Sequence, residues 1–122
     1  TRGLPFVGRV AAGPTTLAFE QAERIAIAAL FKTKDLFVLQ VTGDSMIDAH
    51  ITNGDYVIVK KAKTAAKGQM VVAMTDEGEA TLKYWHPEAN RIRLQPANRN
   101  MPPIYVQHAQ VLGVVAGVVR KL

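Results

Sequence analysis

Between Phe37 and Val119 the apolar runs are short and are interrupted again and again by turn-forming residues. Phe37-Val38-Leu39-Gln40-Val41-Thr42 alternates, placing Phe37, Leu39 and Val41 on one face of a strand. Tyr56 to Val59 and Met70 to Met74 are compact runs of strand-favouring residues, and Ala80 to Trp85, Arg91 to Leu94 and Ile104 to Val106 are short alternating or apolar stretches. Asn53-Gly54-Asp55, Glu77-Gly78-Glu79 and Pro87-Glu88-Ala89-Asn90 lie between them, with glycine or proline as punctuation. The Glu77-Gly78-Glu79 segment reads as a hairpin turn. Strands this frequent predict a mostly β protein: a compact, curved, mostly antiparallel sheet with little helix.

Two stretches are less definite. From Thr16 to Phe31, the residues Phe19, Ala22, Ala26 and Leu30 have helical spacing, while Ile25-Ala26-Ile27 suits an edge strand. The favoured reading is a loop, a short strand and a turn. Near the C-terminus, Val111 to Val119 suits either a dimer edge or a core strand, with equal weight.

A chain of 122 residues fits one domain, and 48% hydrophobic residues suffice for a core. There is no cysteine, which excludes disulfides and thiolate metal sites. No apolar run approaches the roughly 18–20 residues needed to span a bilayer as a helix. Val111 to Val119, the longest candidate, contains Gly113 and Gly117. The N-terminus lacks a signal-peptide pattern. The expectation is a soluble, cytoplasmic domain with no membrane partner. A net charge of +5 raises the question of nucleic acid, but the basic residues are spread along the chain. The densest group, Lys60, Lys61, Lys63 and Lys67, follows a strand and reads as a solvated loop. Aromatic residues do not interleave with the basic ones as a stacking platform requires. Direct DNA contact by this segment is not expected.

The chain contains a single serine, Ser45, in Gly43-Asp44-Ser45-Met46. Gly43 allows a tight turn and close backbone approach. A serine just past such a turn can present its hydroxyl while nearby backbone N–H groups form an oxyanion hole, although serine in a turn is more often only a turn former. A hydroxyl is a weak nucleophile until a base takes its proton. His50, His86 and His108 have no acid partner at a suggestive spacing and read as exposed histidines. No cluster has metal-ligand spacing. Lys83, in Thr81-Leu82-Lys83-Tyr84-Trp85, has mostly apolar or aromatic strand neighbours. An unperturbed lysine, with pKa about 10.4, is neutral only about once in 2,500 molecules at pH 7. Burial can lower that pKa to about 5–6 and make the amine a base; a strand lysine is nonetheless usually a solvated, outward-facing residue.

Gly43-Asp44-Ser45-Met46 followed by Thr81-Leu82-Lys83 resembles the Ser–Lys self-cleaving domain of LexA-type repressors. Val7-Gly8-Arg9-Val10-Ala11-Ala12-Gly13 is similar to the segment such repressors cut, between alanine and glycine. The resemblance continues through Asp55-Tyr56-Val57-Ile58-Val59-Lys60, Arg91-Ile92-Arg93-Leu94-Gln95-Pro96 and Leu112-Gly113-Val114-Val115-Ala116-Gly117-Val118. It covers nearly the whole chain and is weakest from Thr15 to Ala29, where alanine and isoleucine largely replace the acidic residues common in relatives.

The resemblance implies a curved sheet of the LexA and signal-peptidase type. It implies that Ser45 attacks the carbonyl of Ala12, with neutral Lys83 as base and then as acid toward the amine of Gly13. The small residues Ala11, Ala12 and Gly13 suit a narrow site, Val10 an apolar subsite, and Met46 and Thr81 flank the reacting groups. No cofactor is implied. In this family the cleavage loop moves between a docked position that buries the lysine and an undocked one. The activated RecA filament on single-stranded DNA is the partner that favours docking.

Residues 1–6 are then expected to be a linker remnant and residues 7–122 the self-cleavage and dimerisation domain, with homodimers formed. The N-terminal DNA-binding domain, through which operator DNA would be held, is expected to be absent from this chain. Three alternatives stand beside this reading: a phage repressor, a UmuD-like relative, or a catalytically silent dimerisation domain. UmuD-like chains are usually cut at Cys-Gly, and this chain has no cysteine. Signal peptidases share the chemistry but need a membrane anchor.

Overall fold

The computed structural model describes residues 4–11, 17–18, 23–25 and 35–120. Among them are ten strands: β1 (Leu4–Ala11), β2 (Leu17–Ala18), β3 (Glu23–Ile25), β4 (Leu36–Thr42), β5 (Tyr56–Lys61), β6 (Met70–Thr75), β7 (Ala80–Pro87), β8 (Ile92–Gln95), β9 (Ile104–Val106) and β10 (Ala109–Val119). A 3-10 turn covers Ile47–Ala49. The expected strands therefore form, with ends that differ by a few residues. Glu23–Ile25 forms a strand paired with β1, while Phe19, Ala22, Ala26 and Leu30 lie outside the described residues, as do Ala12 and Gly13 and the first half of the expected linker. Among the described residues, no helix is long and apolar enough to cross a membrane.

The strands form one sheet in the order β2-β1-β4-β5-β10-β6-β7-β8-β9, with β3 also paired to β1. Pairing is antiparallel except where β1 runs parallel to β4 and, at one position, to β7. Three strands (β5, β10 and β6) lie between β4 and β7 in that order. For β1 to touch both, the sheet must curl back on itself, as the expected curved fold requires. The β6–β7 hairpin closes at the expected turn: Gly78 has φ +79° and donates its N–H to Thr75 O at 2.9 Å.

Apolar residues line both faces. Phe37, Leu39 and Val41 share one face, as their alternation predicts, and pack with Met46, Ile51, Val57, Val59, Val72, Ala80 and Leu82. Val71, Ala73, Trp85, Leu94 and Val111 form a second cluster. In β4, Leu36 and Val38 are buried as well, so that strand is covered on both sides.

β10 is a core strand. It pairs with β5 from Gly113 to Val119 and with β6 from Ala109 to Val114. It is therefore interior where the two ranges overlap, and only beyond Val114 is its described pairing one-sided. The register shifts near Gly113, and the glycine is needed there: a Cβ would collide with Val59 Cγ1 and lie 2.6 Å from Lys60 O.

Candidate active site

Strand β4 ends at Thr42, and the chain turns at once. Gly43 has φ +90°, a left-handed conformation that side chains disfavour. Its N–H donates to Asn53 Oδ1 at 2.9 Å. Ser45 and Met46 then occupy the middle of a turn closed by the Ile47 N–H donating to Asp44 O at 3.2 Å. The turn faces inward. Ser45 is 1% exposed and Met46 is fully buried. Among the described residues the Ser45 Oγ is a buried atom with no hydrogen-bond partner, an uncommon and costly state for a hydroxyl.

Thr81 and Lys83 come from β7, two positions apart and so on the same face. Across the ladder they pair with Ala73 and Val71, both members of the second apolar cluster. Lys83 is only 1% exposed, and its Nζ donates to Thr81 Oγ1 at 2.7 Å. Removal from water disfavours the ammonium and pulls its pKa from 10.5 to about 8. About one molecule in ten then carries the neutral amine at pH 7, roughly two hundred times the share for an exposed lysine. Lys83 is thus not the solvated strand lysine that is the ordinary case.

Strand β1 joins these two regions. Its last residue, Ala11, pairs with Thr42 of β4 and also with Thr81 of β7. Neighbouring strands lie about 4.8 Å apart. Ser45 therefore lies three residues beyond one partner of Ala11, and Lys83 two residues beyond the other. Val10 pairs with Val41. The expected scissile residues, Ala12 and Gly13, follow directly in the sequence but lie outside the described residues.

A second segment, Pro96–Asn100, braces the serine turn. The Asp48 N–H donates to Ala97 O at 2.6 Å, and the Ala97 N–H reaches Met46 Sδ at 3.4 Å. Asn98 Nδ2 donates to Asp44 O at 2.9 Å, and the Arg99 N–H to Asp48 Oδ2 at 2.8 Å. Sequence reasoning missed these residues; the only signal was a cluster of turn formers after Leu94. It also missed Asp55, read as the end of the Asn53-Gly54-Asp55 segment between two strands. Ile51 and Asp55 are buried, and Asp55 is ion-paired with Arg120 at 2.8 Å.

The histidines need one correction. His50 and His108 are exposed as expected. His86 is half-buried on β7, paired with Arg93, and its Nδ1 has no partner among the described residues. Burial, with Arg93 and Lys67 nearby, lowers its pKa. None of the three is hydrogen-bonded to Ser45. No group of three or more His, Asp or Glu residues among those described could hold a metal ion.

Residues 5–119 match the family described as Peptidase S24-like. The chain is similar to the LexA repressor of Koribacter versatilis (strain Ellin345), with 47% identity over 99% of this chain and 59% of the relative. It is also similar to the LexA repressor of Pelotomaculum thermopropionicum, at 49% identity over 98% of this chain and 59% of the relative. Against the LexA repressor of Clostridium botulinum (strain Hall), identity is 46% over 97% of this chain and 60% of the relative. The chain thus spans 59% to 60% of the length of these curated relatives.

Proposed function

This chain belongs to the peptidase S24-like family, and from that premise we propose that it is the self-cleaving C-terminal domain of a LexA-like SOS transcriptional repressor. Its reaction is hydrolysis of its own Ala12–Gly13 peptide bond, with Ser45 as nucleophile and Lys83 as general base. The observation that carries this reading is the burial of Lys83, which brings its amine to a pKa of about 8, on a strand that shares the neighbour Ala11 with the strand leading to Ser45.

Neutral Lys83 takes the Ser45 proton as Oγ adds to the Ala12 carbonyl, and the N–H of Ser45 and of a turn neighbour hold the oxyanion. The resulting ammonium gives its proton to the Gly13 nitrogen as the C–N bond breaks. Water, deprotonated by Lys83, then adds to the serine ester, and Lys83 returns that proton to Ser45 Oγ as the ester C–O bond breaks and Ala12 leaves with a carboxyl terminus. Because substrate and catalyst are one chain, the effective molarity can reach about 10⁵–10⁸ M. A modest base therefore suffices for a single cut.

Control follows from docking. A cleavage segment that covers Lys83 removes it from water and so activates it, and a partner that binds only this docked arrangement accelerates the cut. We assign that role to the activated RecA filament on single-stranded DNA. Homodimers would form along Val115–Val119, where the described pairing is one-sided and Ala116 and Val118 are exposed. Operator DNA would be bound by an N-terminal domain of the whole repressor, and the protein would act in the cytoplasm.

The test is the intact mass of the chain after mildly alkaline incubation. The expected products are a peptide ending at Ala12 and a domain beginning at Gly13, with Ser45→Ala, Lys83→Ala and Lys83→Arg variants left whole. Guanidinium stays protonated, so a Lys83→Arg variant that cut at the parent rate would remove lysine as the base.

A further inference from the structure

We propose that Asn98 is a positioning residue for self-cleavage, holding the Asp44–Ser45 peptide plane so that the Ser45 N–H is aimed as an oxyanion donor. This rests on the Ser45–Lys83 reading above and adds a residue to it. Asn98 lies in the loop after β8, far in sequence from the serine, and its Nδ2 donates to Asp44 O at 2.9 Å.

A trans peptide unit is planar, so its C=O and N–H point in opposite directions. The carbonyl of Asp44 and the N–H of Ser45 belong to one such unit, and fixing the oxygen fixes the line of the hydrogen. Two donors fix it here. The Ile47 N–H, at 3.2 Å, comes from within the turn and moves with it. Asn98 ties the same oxygen to a different part of the sheet. The rest of the brace prevents the turn from following Asn98 as a loose unit: Asp48 N–H to Ala97 O and Arg99 N–H to Asp48 Oδ2 hold its far end.

The amide orientation of Asn98 is determined by both of its partners. Its Oδ1 accepts the Asn100 N–H at 2.9 Å while its Nδ2 donates to Asp44 O. Reversing the amide would set like against like at both contacts. This division of labour allows the two functions to be separated. In Asn98→Asp, a carboxylate oxygen still accepts from Asn100 and maintains the local turn. The donor to Asp44 is replaced by an acceptor, which repels that carbonyl. In Asn98→Ala both contacts are lost.

Complete loss of an oxyanion donor costs about 10²–10³ in rate. Misaiming one costs less, and about a 10- to 100-fold drop is expected here. The experiment follows self-cleavage of the full chain by intact mass from pH 6 to pH 10, with melting temperatures measured alongside. For both Asn98→Asp and Asn98→Ala the high-pH plateau should fall about 10- to 100-fold. In Asn98→Ala the midpoint of the pH profile should stay where the parent has it, because Lys83 is untouched. A general loosening of the site would let water reach Lys83 and move that midpoint upward.

The outcomes separate cleanly. If the parent cuts and the Asn98 variants reach the same plateau, the positioning role is wrong while the Ser45–Lys83 reading stands. A plateau that falls only together with a shifted midpoint or a lost melting transition also overturns it, in favour of plain structural support. If Ser45→Ala or Lys83→Ala cuts like the parent, or the parent never cuts, the underlying reading fails and this proposal falls with it.

Discussion

Arg120 closes on Asp55 through two parallel hydrogen bonds of 2.8 Å, Nε to one carboxylate oxygen and a terminal guanidinium nitrogen to the other. That terminal nitrogen also donates to His50 O at 2.7 Å. His50 has φ +62°, an unusual conformation for a residue with a side chain. The end of β10 thus holds the stretch that leads away from the Ser45 turn, and Asp55 completes the hold by accepting the Thr52 N–H at 2.9 Å.

This pair predicts acid sensitivity. The hydrogen bond from Arg120 is the chief cause that holds the Asp55 carboxyl below its usual 3.8, against the opposing effect of burial. A carboxyl with a lowered folded pKa stabilises the protein above its unfolded value and loses that contribution as pH falls through the folded one. Arg120→Met should lower the melting temperature by several degrees at pH 7, and the gap to the parent should narrow below about pH 4. Thermal melts at pH 7, 4 and 3 check this.

Lys83 predicts a stability that also rises with pH, but in the alkaline range. Its ammonium is penalised in the folded state, so the penalty is complete below the folded value of about 8 and is relieved as pH rises from there toward 10.5. Lys83→Met should be more stable than the parent at pH 7 by about 2–3 kcal/mol, with the difference shrinking above pH 8. Denaturant titrations at pH 7 and pH 10 measure it. A variant that removes the proposed base yet stabilises the fold marks a residue kept at a cost.

The same value sets the pH profile of self-cleavage. The rate should rise about tenfold per unit below pH 8 and level above it, following the neutral amine. Thr81→Val removes the hydroxyl that accepts from Lys83 Nζ. Without that acceptor the ammonium is less favoured, and the midpoint should move down by about half a unit to one unit. Cleavage rates of both proteins from pH 6 to pH 10 test the relationship.

Gly113→Ala should destabilise the protein by about 1–3 kcal/mol, because the added methyl has no room between β10 and β5. Chemical denaturation checks this one, and self-cleavage should keep its pH midpoint.

Local pattern made most strands legible. Phe37, Leu39 and Val41 alternate because one face of β4 packs against one core cluster, and the Glu77-Gly78-Glu79 turn closes a hairpin of neighbouring strands. What depended on distant partners was not legible. Asp48 to Asp55 has the composition of a surface turn, yet Asp55 is buried and its partner Arg120 arrives from the other end of the chain. No local signal sets β10 between β5 and β6 rather than at an edge. For the candidate site, Ser45 and Lys83 stood out by residue type and resemblance. Asn98 did not, because its contact with Asp44 spans the sheet and leaves no periodicity.

The placement of β10 also has a consequence for how the molecule is made. β5 and β6 follow one another in sequence but meet only through β10. On the ribosome, which builds from the N-terminus, these two strands cannot be joined until β10 has emerged, and before then the two halves of the sheet can meet only through β1, which pairs with β4 and at one position with β7. Such non-local pairing slows folding, so the join between β5 and β6 is expected to be among the last parts of the sheet to form.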